Sequence, residues 1–431
     1  MLYYSTGKIS PKADFRAATI NGQAPDKGLY FPETIPSLSS ELITDLKNRS
    51  HASIAYDVMK PYVGESVPDA TLKLIAAETV DFPFPLVEVH NGLAALELFH
   101  GPTLAFKDVG ARFMSRCLGY FAKSLNKKIT VLVATSGDTG GAVAAGFAGV
   151  EGVNVIILYP SGKVSKVQEL QLTTWGGNIA ALEVDGNFDD CQHMVKRAFA
   201  DDTINGRLFL TSANSINVAR WLPQQLYYFY ALQQWTGAEP PVISVPSGNF
   251  GNICAGLLAN KSGLPIKHFV AACNANDTVP EYFLTRQYNP KLAIATLSNA
   301  MDVGNPSNFD RILEMFENQY EGLSAKISAY SISDKDTAAT ISEVYTQHHY
   351  LLDPHGAVAY IALKKYLSSQ GTSNGIFLET AHPVKFYDVV EPVINATITL
   401  PDSIKAIAGR TKSAIQISND YREFHNYLLT V

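Results

Sequence analysis

The order of apolar segments along this chain constrains its fold more than any other feature. Seven runs of four to six residues are predominantly apolar, and longer amphipathic stretches lie between them. The predicted strands cover residues 129–134, 153–158, 179–184, 208–211, 242–245, 268–272 and 375–378, and the predicted helices cover 141–147, 189–200, 220–235, 336–348 and 356–367. Short apolar strands that alternate with helices are typical of parallel sheets buried on both faces. The pattern therefore predicts an α/β fold with mainly parallel sheets.

Composition limits the classes of protein that the sequence can encode. Charged residues make up 17% and hydrophobic residues 46% of the 431 positions, which suits large buried cores and excludes a disordered chain. At roughly 150 residues per domain, this length suggests two or three domains. A net charge of −6 argues against nucleic acid as a partner. The longest uncharged run, Pro241 to Asn260, contains serine and asparagine residues and is predicted as a strand, turn and helix, not a membrane span.

The N-terminal segment and the cysteines bear on the expected location. Residues 1–95 are interrupted by prolines and are predicted to form a small N-terminal region of short helices and turns. Because no charged segment followed by an apolar one begins the chain, we expect no signal peptide. The four cysteines form no C-x-x-C pair, so no metal site is expected. Small buried thiols in a reducing cytoplasm are the simpler interpretation, and a cytoplasmic protein is predicted.

Lys107 has the most unusual surroundings of any charged residue. It follows Leu104, Ala105 and Phe106, and Asp108 is the one carboxylate next to it. A lysine that these apolar side chains remove from water would have a lowered pKa and a usable neutral amine. Such an amine can form a Schiff base with a carbonyl compound. Taken alone, the segment favours an ordinary solvated lysine, and two glycine-rich turns further along the chain reverse that preference.

These two turns follow predicted strands, where parallel sheets bind ligands. Residues 135–141, Thr-Ser-Gly-Asp-Thr-Gly-Gly, combine hydroxyls with amides at a helix N-terminus, which suits a carboxylate. An ordinary cap by Ser136 or Thr139 explains them equally well. Residues 246–252, Pro-Ser-Gly-Asn-Phe-Gly-Asn, can present successive amides to a phosphate. The second turn lacks the spacing of a P-loop or a dinucleotide-binding motif, and neither turn is a serine-hydrolase G-x-S-x-G.

Polar groups near other strand ends supply further candidates. Residues 212–220 offer amides, hydroxyls and Arg220, whose guanidinium could bind a phosphoryl group. Lys163 and Lys166 could do the same, although a solvated turn also explains them. Thr380 offers a neutral hydroxyl after the last predicted strand. The nearby histidine, His382, is better explained as a capping residue or as a histidine at the edge of the core.

Several motifs together resemble a known family. They are residues 28–32 (GLYFP), 100–108 (HGPTLAFKD), 135–140 (TSGDTG), 214–217 (NSIN), 246–251 (PSGNFG) and 381–383 (AHP). The chain resembles the pyridoxal-phosphate enzymes of fold type II and, within them, the threonine synthase family, over about residues 28–390. The resemblance implies two parallel-sheet domains with a cleft between them. Residues 96–225 would form the smaller domain with the cofactor lysine, and residues 226–431 the larger domain with the phosphate-binding loop.

The resemblance also implies a role for each motif. Lys107 would carry pyridoxal phosphate as the catalytic residue, and Thr380 would hydrogen-bond the pyridine nitrogen. The other cofactor-binding residues would be Phe106, Asp138, Ser247, Gly248, Asn249, Phe250 and Gly251. The substrate-binding residues would be Ser136, Gly137 and Thr139 around the α-carboxylate, and Lys163, Ser215, Asn217 and Arg220 around the leaving phosphate. Related members often have Asn at the position of Asp138.

The reaction that this implies converts O-phosphohomoserine and water to threonine and phosphate, with Lys107 moving the α-proton. A related phospho-lyase, which would release 2-oxobutyrate, would use the same lysine and phosphate site. A non-catalytic phosphometabolite-binding protein is the alternative from another class, and the intact lysine motif argues against it. A monomer or homodimer is predicted. No long N-terminal extension precedes the motifs, so the activation by S-adenosylmethionine known for plant relatives is not expected.

Overall fold

Three β-sheets organise the protein, and the computed structural model describes residues 1–431. The strands are β1 (Leu2–Ser5), β2 (Ala13–Asp14), β3 (Tyr30–Pro32), β4 (Leu86–His90), β5 (Leu93–Glu97), β6 (Ile129–Ala134), β7 (Val153–Pro160), β8 (Ile179–Asp185), β9 (Phe209–Ser212), β10 (Val242–Pro246), β11 (His268–Cys273), β12 (Ile327–Ser331), β13 (Gly375–Glu379) and β14 (Ile415–Ser418).

Twenty α-helices lie around these sheets. They are α1 (Phe15–Asn21), α2 (Ser40–Thr44), α3 (His51–Val63), α4 (Asp69–Thr79), α5 (Lys107–Ala122), α6 (Asp138–Phe147), α7 (Lys166–Thr173), α8 (Phe188–Ala200), α9 (Asp202–Arg207), α10 (Val218–Trp221), α11 (Leu226–Gln234), α12 (Gly251–Lys261), α13 (Thr278–Thr285), α14 (Phe309–Met315), α15 (Tyr320–Ser324), α16 (Asp334–His348), α17 (Pro354–Gln370), α18 (Tyr387–Ile394), α19 (Asp402–Ala408) and α20 (Tyr421–Leu428). No helix is both long enough and apolar enough to cross a membrane.

The two larger sheets are built from parallel strands. One has the order β14-β8-β7-β6-β9, and the other has the order β12-β11-β10-β13-β5-β4, in which β4 alone runs antiparallel to its neighbour. Every residue of β6, β10 and β11 is buried. Helices cover both faces of such strands, so their sequences are continuously apolar and do not alternate with polar residues. The predicted α/β fold with two parallel sheets is confirmed.

All seven predicted strands form, and their ends differ from the predicted bounds by no more than two residues. The long helix predicted over residues 220–235 is interrupted. Helix α10 ends at Trp221, a 3₁₀ turn covers Leu222–Gln225, and α11 then begins. Pro223 has no amide hydrogen to donate within an α-helix, which accounts for the tighter turn at this point.

Sheet membership does not follow contiguous blocks of sequence. The first 95 residues hold a small antiparallel sheet of β1, β2 and β3 in addition to the predicted helices. Strands β4 and β5, before and across the predicted boundary at residue 95, belong to the six-stranded sheet. Strand β14 returns from the C-terminal part of the chain to pair with β8 in the five-stranded sheet. These pairings join segments far apart in sequence, which a local hydrophobic pattern does not reveal.

Candidate active site

The turn before α5 fixes the position of Lys107. Leu104 has a left-handed backbone with φ of +58°, which is uncommon for a residue with a branched side chain. The carbonyl of Leu104 accepts a 3.0 Å hydrogen bond from the His382 amide, and the Phe106 amide donates a 2.9 Å bond to the Thr380 carbonyl. The conformation is therefore held by the loop that follows β13, and Lys107 begins α5 at the end of the six-stranded sheet.

Asp108, the carboxylate next to Lys107 in sequence, is engaged elsewhere. Its two oxygens accept bonds from the Thr103 amide at 2.9 Å and the Thr103 hydroxyl at 2.6 Å. Burial raises the pKa of the Asp108 carboxyl. A Cβ at Gly101 would lie 2.5 Å from Asp108 Oδ2, so only glycine permits this close approach. Asp108 therefore supports the turn and is not the counterion of the lysine.

The Lys107 side chain is only 18% exposed, and its nearest carboxylate oxygen is Asp138 Oδ2, at 3.7 Å from Nζ. Burial lowers the pKa of the Lys107 amine, and the Asp138 carboxylate opposes this effect without cancelling it. The positive charges of Lys385 and Arg220 lower the pKa further. The direction agrees with the expectation from the apolar segment. Near neutral pH this amine is deprotonated more readily than an ordinary lysine.

Asp138 lies at the start of α6 and is almost completely buried. Its Oδ1 lies 2.8 Å from Lys385 Nζ and accepts a 2.9 Å hydrogen bond from Gln168 Nε2. Burial alone would raise the pKa of the Asp138 carboxyl, but the charges of Lys385 and Lys107, together with these bonds, hold it well below its usual range. Asp138 is therefore a fixed negative charge beside the lysine.

Lys385 and Gln168, which both contact Asp138, were not among the predicted site residues. Gln168 completes a capping box with Ser165 at the start of α7, a signature that was readable in the sequence. Lys385 follows His382 and Pro383 in a short 3₁₀ turn, and nothing local to that segment marks it as buried.

The turn after β6 is shaped to bind an anion. Gly137 has φ of +135°, and the Thr135 hydroxyl accepts bonds from the amides of Gly137 and Gly140, both at 2.9 Å. The amides of Ser136, Asp138 and Thr139 form no hydrogen bond within the protein. Neither Ser136 nor Thr139 caps the helix; the side chain that bonds to the first turn of α6 is that of Thr135, through the Gly140 amide. The arrangement favours the anion-binding interpretation of these residues over the capping one.

A second set of unbonded amides follows β10. Phe250 adopts a left-handed backbone with φ of +59°, and the amides of Gly248, Asn249, Phe250 and Gly251 donate to no group in the protein. Consecutive unbonded amides beside a left-handed residue are typical of an anion-binding nest, which agrees with the predicted phosphate site. The Ser247 amide donates a 2.8 Å hydrogen bond to the Ala272 carbonyl, which fixes the start of the loop. A Cβ at Gly248 would lie 2.6 Å from Met301 Cα, so the loop is tightly covered on one side.

In the segment after β9, the side chains of Ser215 and Asn217 form hydrogen bonds within the protein. Ser215 Oγ accepts bonds from Asn249 Nδ2 at 2.9 Å and Asn308 Nδ2 at 3.0 Å, which ties this segment to the β10 loop. Asn217 Nδ2 donates to the carbonyls of Thr19 at 2.8 Å and Ser212 at 3.2 Å, and its Oδ1 caps α10. Both amide hydrogens of Asn217 are thus used, and its contacts are those of a structural residue.

Arg220 differs from its neighbours because its charge is not paired. The residue is 3% exposed, and Nη1 donates to the Ala213 carbonyl. Its Nε is buried without a hydrogen-bond partner, and the guanidinium forms no ion pair with a carboxylate. Burial lowers the pKa of the guanidinium to about 10. Asp108 is the carboxylate whose charge acts on the guanidinium, but the two groups form no ion pair. A buried cation without a direct ion pair is costly, and a bound phosphate would supply one.

The remaining predicted residues lie in different surroundings. Thr380 is 5% exposed, and its hydroxyl makes no hydrogen bond within the protein. The Phe106 ring centroid lies 5.1 Å from Lys107 Nζ. Lys163 is exposed in the turn after β7, and so is Lys166 at the start of α7, neither in an ion pair.

The capping role predicted for His382 is confirmed, since its Nδ1 accepts a 3.1 Å bond from the Val384 amide.

Comparisons with known proteins agree with this arrangement. A family model described as pyridoxal-phosphate dependent enzyme matches residues 82–378. The fold and this family match therefore define a pyridoxal-phosphate enzyme. Models described as the threonine synthase N terminus and the threonine synthase C-terminal region match residues 2–80 and 356–428. The chain belongs to the threonine synthase family.

Relatives of the chain match along its whole length. It is 43% identical over 431 residues to a threonine synthase from Haemophilus influenzae, with 100% of both chains covered. The crystal structure of threonine synthase from Escherichia coli superposes with a TM-score of 0.92 at 40% identity and covers 100% of both chains. A pyridoxal-phosphate-bound threonine synthase from Brucella melitensis has a TM-score of 0.93 at 35% identity and covers 99% of this chain and 98% of that one. The protein is thus a lyase that uses pyridoxal phosphate and acts on a small molecule.

Proposed function

We propose that the protein converts O-phosphohomoserine and water to threonine and phosphate. One observation carries this proposal: the buried Lys107 amine is accompanied by two separate groups of phosphate donors. The amides of Gly248–Gly251 form one group, and the unpaired guanidinium of Arg220 forms the other. A phosphorylated cofactor and a phosphorylated substrate require two such places. An enzyme of this family that acted on an unphosphorylated amino acid would have no use for the second.

The residues present fit pyridoxal phosphate. The unbonded amides of the β10 loop would receive its phosphate, Lys107 would attach it, and the free hydroxyl of Thr380 would face its ring nitrogen. Asp138 would lie beside the attachment point. When bound, the cofactor supplies an electron sink for negative charge on the substrate carbon next to the amino group.

Groups of the protein itself would bind the substrate and transfer the proton. The unbonded amides at Ser136, Asp138 and Thr139 are suited to hold the α-carboxylate at the positive end of α6. The lowered pKa of Lys107 makes its neutral amine more available as a base than that of an ordinary lysine. Arg220 is suited to bind the substrate phosphate and to stabilise it as it leaves with additional charge.

Product analysis tests the proposal directly. Purified protein loaded with cofactor is incubated with O-phosphohomoserine, and threonine, 2-oxobutyrate and inorganic phosphate are quantified. Equal amounts of threonine and phosphate support the proposal. Release of 2-oxobutyrate with phosphate would instead identify a phospho-lyase of the same fold, and absence of both turnover and visible absorption would identify a phosphometabolite-binding protein.

The oligomeric state and the location remain predictions. We predict a monomer or homodimer. A location in the cytoplasm is consistent with four cysteines that are all buried and unpaired. Sedimentation and cell fractionation would test these two points.

A further inference from the structure

Lys385 is a completely buried lysine that none of the motifs includes. Its side chain is 0% exposed, and its Nζ contacts Asp138 Oδ1 at 2.8 Å and the Thr103 carbonyl at 2.9 Å. Removing an ammonium group from water is costly unless an ion pair and hydrogen bonds replace the lost solvent. Replacing a buried ion pair as a whole by apolar residues is often neutral for stability. A buried lysine in contact with the site therefore calls for a functional reason.

The two oxygens of Asp138 are used differently. Oδ1 binds the Lys385 amine and the Gln168 amide, both within hydrogen-bond distance. Oδ2 is the oxygen nearest to Lys107, and at 3.7 Å from Nζ it is beyond a hydrogen bond. Lys385 thus forms the short contact with the carboxylate, and Lys107 forms the long one.

No carboxylate other than Asp138 balances the positive charge of a protonated Lys107. Asp108 is directed to the backbone and hydroxyl of Thr103, as described above. The charged groups that act on Lys107 are Asp138, Lys385 and Arg220, so two cations surround the amine against one anion. This arrangement disfavours a third positive charge at Lys107 and favours its neutral form.

We propose that Lys385 is a positioning residue that engages the Asp138 carboxylate and thereby keeps the Lys107 amine out of a tight ion pair. The proposal deepens the function suggested above and rests on it, because a free amine matters only if Lys107 acts as attachment point and base. Without Lys385, the Asp138 carboxylate would form an ion pair with Lys107 instead, and this pair would stabilise the protonated form of the Lys107 amine.

The test measures the Lys107 amine itself, in the full-length protein stripped of cofactor and without substrate. Acetic anhydride labels neutral amines, and mass spectrometry of the peptide containing Lys107 gives its labelling rate at a series of pH values. In Lys385→Met the profile should move to higher pH by about one unit, so labelling at a fixed pH below the pKa should slow by about tenfold. In the control Lys364→Met, which removes a partly exposed lysine of α17 paired at 3.5 Å with Glu343, the profile should not move.

In Lys385→Met the Asp138 carboxylate stays buried without its lysine partner, which could prevent folding. A double variant allows the test to be made in that case. Lys385→Met combined with Asp138→Asn removes both charges of the pair, and its profile should return toward the native one. Near-UV circular dichroism checks that each variant is folded. A folded Lys385→Met protein with the native labelling profile, or a double variant whose profile is displaced as far upward as that of the single variant, would overturn the proposal. Because no substrate is used, neither result depends on which products the enzyme makes.

Discussion

The backbone amide of Phe106 donates a 2.9 Å hydrogen bond to the carbonyl oxygen of Thr380. An isolated antiparallel bridge between Ala105 and Ala381 reinforces the contact. The turn before Lys107 is thereby fixed to the loop that follows the last parallel strand. The amine and the free hydroxyl of Thr380 are thus carried by two segments that cannot move independently.

Replacing Lys107 with alanine should abolish threonine formation, since the neighbouring amine, Lys385, is held by Asp138 and the Thr103 carbonyl and is not free to replace it. The fold should be retained, because the change removes a partly desolvated charge. Threonine production and the visible absorption of the loaded protein measure the effect. Lys364→Ala serves as the control and should retain both. Residual turnover with an attached cofactor in Lys107→Ala would show that another lysine has this role.

Gly248→Ala should weaken cofactor binding and lower stability, because the added methyl group would lie 2.6 Å from Met301 Cα. Overpacking of this kind costs about 1–3 kcal/mol. The matched control is Gly206→Ala in α9, where a methyl group meets nothing within 4 Å. Thermal unfolding and retention of cofactor on dialysis measure both variants. If the two variants behave alike, the loop around Gly248 is less tightly covered than the structure indicates.

Arg220→Ala should selectively impair use of the phosphorylated substrate. Loss of a charged donor to a leaving group lowers kcat/KM by about two to three orders of magnitude. Binding of unphosphorylated threonine, followed by the change in visible absorption, should be nearly unchanged because the turn at Ser136–Thr139 is untouched. An equal loss of affinity for phosphorylated and unphosphorylated amino acids would indicate a general structural role for Arg220.

Arg311→Ala provides the contrasting variant. Arg311 is also fully buried, but it donates to the carbonyls of Tyr30, Ser215 and Ile216 and to Asn308. Its removal should lower thermal stability and weaken both kinds of ligand together, unlike the removal of Arg220.

Glu379→Gln should make stability less dependent on pH. Glu379 is completely buried, and neither carboxyl oxygen has a hydrogen-bond partner. Burial, followed by the charges of Asp353 and Glu97, raises the pKa of its carboxyl well above the usual value. The folded state therefore holds a proton that the unfolded state releases, and stability should fall as pH rises above the unfolded pKa, by up to about 1.4 kcal/mol per pH unit.

Glutamine cannot ionise, so the variant should lose this slope. Unfolding by urea at about pH 5 and about pH 8 compares the two proteins. Glu321→Gln, at an exposed position paired with Arg286, should leave the native slope intact. A slope that persists in Glu379→Gln would show that other groups cause it.

The local pattern of the sequence predicted seven of the ten parallel strands and the polar turns at the ends of several of them. Buried strands are continuously apolar, and turns that present amides need glycine, so both leave a signature within a few neighbouring residues. The apolar segment before Lys107 likewise indicated a desolvated amine. The resemblance of the motifs to one family added which turn would serve which ligand.

The tertiary structure decided what each polar group contacts. Asn217 was expected near a phosphate, but its amide is used by the Thr19 and Ser212 carbonyls. Strand β14 crosses back to the five-stranded sheet, and Lys385 reaches Asp138 from a turn far along the chain. Burial and charge pairing depend on which distant segments meet in space, and so does every pKa in the site. The sequence determined by itself which elements form and where ligands can bind, whereas long-range packing set the charge and availability of each group there.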